Sequence, residues 1–270
     1  QSPLCDFMNL PPLPSEITSL KEFIHQSALP CIALSMSCDV PTHPRTSKLG
    51  GDADLPAGVD WPTHEGEPLG FLLQLVLSEI GFATDFGLPA DGILSFFYDL
   101  EECPWDPEVG GAFRVLYSPS VAVTEPVCSL GGSSHLPECA IRFRRGASLP
   151  YFGSTALGDF EQLIRSTSSS GVSEDDINDC ADAYGSFCAD VAQHGSESPD
   201  GGPHRMFGHP ENIQDEMRAH DPEWVLLLQL ASDDSVGMSW GDSGMLYFWM
   251  TRSDLAAKNF SNVIMTLQCC

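Results

Sequence analysis

Lysine is nearly missing from this 270-residue chain: three Lys and nine Arg face 38 acidic residues, for a formal net charge of −26. Such a field repels phosphate backbones and anionic lipid, so neither nucleic acid nor a membrane surface is expected as a partner. Long apolar runs are missing too. A membrane helix takes roughly 20 apolar residues, whereas the longest runs here, 71–77 and 224–230, are of strand length and each is broken by a glutamine, Gln74 or Gln229. Residues 1–10 contain no basic stretch leading into an apolar one, so no secretory leader is read there. The ten cysteines include no Cys-x-x-Cys pair, which removes zinc-ribbon and thioredoxin-type patterns. Reduced thiols in a cytoplasmic protein are the expectation. There is no Gly-x-Gly-x-x-Gly, no Walker loop and no Gly-x-Ser-x-Gly elbow, and Gly241-Asp242-Ser243-Gly244 falls one residue short of the last. The acidic runs 101–102 and 174–176 lack the alternation of a calcium loop. No cofactor and no metal are implied, and no catalytic residue is fixed.

What is present is a folding chain, with 42% apolar and 9% aromatic residues. Residues 15–28 carry Ile17, Leu20, Phe23 and Ile24 at helical spacing behind Ser15 as an N-cap. Strands are expected over 31–36, 71–77, 92–98 and 113–117, separated by Gly/Pro turns. The middle, 126–200, reads as helical, acidic and Ser-rich: a fragment over 159–165, a spacer over 166–171, and a helix capped by Ser173. Ile177, Cys180, Ala181, Tyr184, Cys188 and Val191 form its apolar stripe.

The halves on either side of that middle echo each other. Lys48-Leu49-Gly50-Gly51, then 71–75, then 91–97 recur as Met206-Phe207-Gly208-His209, then 226–230, then 242–248, at offsets of 158, 155 and, aligned on Gly92 and Gly244, 152. Each copy runs from a Gly loop to an apolar strand with one central Gln, then an acidic Gly turn, then a second apolar-aromatic strand. The pattern predicts an α+β, β-rich single domain over 1–270, built by internal duplication, with halves at 39–125 and 201–268 and flanking helices.

The segments 48–51, 55–56, 61–62, 71–75, 204–210, 213–214, 226–230 and 238–244 resemble the YwqG-like family over about residues 15–268. That resemblance implies an α+β fold with two related motifs and no established chemistry. The chain departs from the family pattern at Ala231-Ser232-Asp233-Asp234 and in its expanded middle.

The polar candidates for a ligand site are Gln74, Arg205, His209, Gln229 and Asp242. Gln74 and Gln229 either tie their strands to the Gly loops before them or line a central pocket, and the tie is preferred because a buried amide needs partners. His204 and His209, five apart in a Gly/Pro loop, lack helical metal spacing; Arg205 is a candidate anion contact. Asp242 caps a turn beneath which Trp240 packs. Two functions are open: a monomeric, non-enzymatic module that binds a basic protein, of adaptor or immunity type, or a small-ligand binder or enzyme with its site between the halves.

Overall fold

The computed structural model describes residues 10–39, 43–105, 111–127, 135–168, 171–194 and 203–270. Cys5, Cys128, most of the 195–203 loop and part of the serine spacer lie outside them. In chain order the strands are β1 (Leu29–Ser37), β2 (Lys48–Leu49), β3 (Ala53–Pro56), β4 (Thr63–His64), β5 (Glu67–Pro68), β6 (Gly70–Val76), β7 (Ile93–Tyr98) and β8 (Phe113–Ser118). They continue with β9 (Thr124–Val127), β10 (Cys139–Ser148), β11 (Arg205–Met206), β12 (Trp224–Ala231), β13 (Met245–Thr251) and β14 (Ile264–Gln268). The helices are α1 (Lys21–Ser27), α2 (Phe160–Thr167), α3 (Glu174–Gln193) and α4 (Arg252–Ala257). None of them is long and apolar enough to cross a membrane.

Ten strands form one antiparallel sheet in the order β14-β13-β12-β11-β1-β10-β2-β6-β7-β8. The sheet curls into a nearly closed barrel, and the fold is α+β and β-rich. Strand alternation sends Ile32, Leu34, Leu94, Phe96, Leu246 and Phe248 into one inner core. There Phe248 meets Phe96 and Phe113 edge-on, at centroid distances of 5.1 and 6.2 Å. Such pairs add about 0.5–1.5 kcal/mol each beyond the area they bury, and here they hold one end of the sheet against the other.

The sheet's outer face is covered piecemeal. The antiparallel pair β3–β9 lies over Phe71 and Phe97 in the first half. A loop carrying Ile213, Met217 and Ala219 lies over Leu226, Tyr247 and Trp249 in the second. The helices pack around Tyr184, Phe187 and Val191 against the far end of β10. α3 begins as its sequence dictates: the Ser173 hydroxyl accepts from Asp176 N–H while the Asp176 carboxylate accepts from Ser173 N–H, a reciprocal cap. Ser15 makes no such cap, and its segment starts as a 3-10 turn over Ser15–Leu20 before α1.

Two further features depart from expectation. The centre of the sheet is β10, inside the stretch expected to be helical. Arg142, Arg144 and Arg145 hide its strand character, although Ile141 and Phe143 alternate toward the core. Cys38 and Cys139 are disulfide-bonded, joining the end of β1 to the start of β10, whereas six other described cysteines are free thiols.

Candidate functional site

Two buried glutamines organise the outer face. Gln74 on β6 lies opposite Lys48 on β2, and Gln229 on β12 lies opposite Arg205 on β11. Arg205, not Met206, therefore stands at the register of Lys48, one residue from the spacing read in the sequence. Gln74 donates to Thr46 O (2.8 Å) and accepts from Asp54 N–H (2.9 Å). Gln229 donates to Pro203 O and accepts from Glu211 N–H, both at 2.9 Å. In each case the amide reaches the carbonyl two residues before the cation and the N–H six residues after it. The residue just before each cation also matches: Ser47 Oγ accepts from Val76 N–H, and His204 Nδ1 accepts from Ala231 N–H. A β-bulge interrupts β6 between Phe71 and Leu73 and β12 between Leu226 and Leu228.

The turn after each cation uses two consecutive left-handed residues, Gly50-Gly51 (φ 56° and 69°) and Phe207-Gly208 (φ 62° and 77°). A side chain at Gly51 would run into Glu138, and one at Gly208 into Ser148. Phe207 is the exception, since a left-handed phenylalanine costs about 1–3 kcal/mol. Its ring stacks on Phe86 from the first half, centroids 5.1 Å apart.

The cations have different surroundings. Lys48, 4% exposed, pairs with Glu138 at 3.2 Å. Arg205, 5% exposed, gives Nη2 to Glu211 at 3.0 Å, and its Nε has no acceptor among the described residues. An orphaned buried donor costs about 1–3 kcal/mol, more when charged. Arg205 and Glu211 also line a small cavity of about 120 Å³ under α3.

The family match can be placed on this geometry. A model described as "Domain of unknown function (DUF1963)" matches residues 47–269. The chain belongs to this family. No curated protein matches it. The DUF1963 match starts at Ser47, so it takes in both glutamine stations while β1, which pairs with β10 and β11 at the middle of the sheet, precedes it.

The other sequence candidates scatter around the DUF1963 fold. His209 sits close to Arg205, but its Nε2 is bonded to Ser27 O at 2.8 Å and its backbone N–H to Ser148 Oγ. Burial pushes its pKa below the ordinary value, so it is held neutral. His204 and His209 point to different partners. Because His204 Nδ1 accepts a backbone N–H, its Nε2 carries the proton donated to Asp233 at 3.1 Å. Asp242 is exposed in the turn above buried Trp240, apart from the glutamines. A cleft of about 600 Å³ lies where the halves meet. Its walls include Phe86, Phe207, Trp224, Trp249 and Leu255, with Asp85, Glu216, Asp221, His209 and Arg252 at polar positions. Sequence reasoning named His209 but not these aromatics, because they come from separate segments of the chain.

Proposed function

We propose that this chain is a YwqG-like, non-enzymatic module whose cleft takes a basic, apolar-anchored segment of a partner protein. The observation that carries this reading is the cleft: an aromatic floor with Asp85, Glu216 and Asp221 on its walls, in a chain of net charge −26. Aromatic anchoring supplies burial, and the acidic field steers a cationic partner at low salt. The test is tryptophan fluorescence during titration with short peptides that place Leu or Phe between lysines, against the same peptides with glutamates. Tighter binding of the lysine series, weakened by salt and by Trp224→Ala, is expected; equal binding of both series would sink the reading.

The second reading, a small-ligand site or enzyme between the halves, is favoured by one observation. The cleft falls in the size range of ligand pockets and draws walls from both halves, Phe86 and Phe207 among them.

We also read the two halves as products of an internal duplication. The matched glutamine bonds, bulges and left-handed pairs support it, and grafting 203–211 in place of 46–54 without loss of fold would test it. A monomer is supported by the small number of exposed large apolar side chains among the described residues, Leu29, Val59 and Trp105. Sedimentation that gives a dimer overturns it. A cytoplasmic home is supported by the six free thiols, while the Cys38–Cys139 bond stands against it. Intact mass from rapidly alkylated cells decides between them.

A further inference from the structure

Arg205, Ala33 and Arg144 lie side by side across three neighbouring strands, because Ala33 is in register with both arginines. Strands lie about 4.8 Å apart, so two guanidinium-bearing residues flank one methyl group on the outer face. The roof is α3, which offers Ala189 and Ala192 where larger residues would fill the space. The resulting cavity, about 120 Å³, is also lined by Cys31 and Ser35. Arg144 is fixed on the far side by a bond from Nη2 to Ala192 O, in the last turn of α3. Arg205 is fixed on the near side by Glu211, with its buried Nε–H lacking an acceptor among the described residues. Cys31, two residues along β1 on the same face, feels both positive charges.

Among the described residues lining the cavity there are two guanidiniums and one carboxylate, that of Glu211, beside a donor that needs an acceptor. Water would supply the acceptor but not the charge. A tetrahedral dianion would bring a second negative charge next to Glu211. A planar carboxylate matches the donor, the charge and the space. We propose that the cavity between Arg205, Arg144 and α3 binds a small monocarboxylate. The site is separate from the cleft assigned to a partner protein and stands or falls independently of it.

The test reads the arginine Nε–H resonances of ¹⁵N-labelled protein during titration with sodium formate and sodium acetate, with sodium chloride at equal ionic strength as control. The Arg205 signal is assigned by its loss in Arg205→Lys, or by through-bond correlation should that variant not fold. A saturable shift of the Arg205 Nε–H with formate or acetate, absent with chloride, is expected. Ala189→Leu, at an exposed helical position on the cavity wall, should weaken binding about tenfold without loss of fold, equivalent to about 1.4 kcal/mol. Inorganic phosphate should bind more weakly than formate. An unmoved Arg205 signal, an equal shift with chloride, or tighter binding of phosphate would overturn the proposal.

Discussion

Around Gln74 the carboxylate of Asp54 folds back onto the amide at 2.5 Å and also accepts the backbone N–H of Arg45. Glu138 arrives from the far side to take Lys48. Around Gln229 the acid at the same spacing, Glu211, instead turns to the cation, and α3 rather than β3–β9 lies overhead. The backbone bonds of the two stations are the same, so the difference comes from side-chain length and from the roof. A lysine offers one compact ammonium that a single carboxylate satisfies; an arginine spreads five donors over a plane, and one carboxylate leaves some of them over. At the first station the cation is met by a carboxylate and the atom left without a partner among the described residues is an acceptor, Asp54 Oδ1; at the second it is a donor, Arg205 Nε, beside a cavity.

The largest way to break this comparison is to remove the amides. Gln74→Leu strands Asp54 N–H, Thr46 O and part of a buried carboxylate, whereas Gln229→Leu strands Glu211 N–H and Pro203 O in a less buried place. Each orphaned group costs about 1–3 kcal/mol. Urea unfolding should therefore show Gln74→Leu to be the more damaging by at least one such increment, and equal losses would contradict the asymmetry. A smaller effect separates the roofs. Ser173→Ala removes the reciprocal cap of α3 and should cost about 1 kcal/mol. Hydrogen exchange should speed up over α3 and leave Gln74 and its strand unchanged.

The smallest effect is in pH. His209 follows the left-handed pair of the second half, where the first half has Asp52. Its folded pKa lies below the ordinary 6.5, so the unfolded chain takes the proton first. Stability present above about pH 6.5 is then lost as pH falls through the window beneath it. His209→Gln should flatten the stability slope in that window. An unchanged slope would mean that His209 does not carry it.

Parts of this architecture are legible in the chain and parts are hidden by the physics that built them. The apolar runs around Gln74 and Gln229 announce buried strands because both faces of those strands are covered. Ser173 announces α3 because its cap needs only three residues of local sequence. β10 stays hidden because its arginines find partners on both faces of the sheet, Arg144 capping α3 and Arg145 paired with Asp85. Nor is the choice of Arg205 over Met206 visible, since which residue faces the glutamine depends on a pairing across the sheet. Asp242 shows the opposite error: a turn signal read correctly, in a place that brings it near none of the other candidates.

The position of β1 governs the order in which this molecule can be assembled. Of the fourteen strands it is made first, yet its partners are Ser148 through Ala140 on one side and Arg205 and Met206 on the other. The hairpins β6–β7–β8 need only nearby residues and can form while β1 waits with both edges open. Pairings of such wide sequence separation are slow and leave unpaired edges exposed to other chains. A newly made chain is therefore most vulnerable to aggregation in the interval between the synthesis of β8 and that of β11.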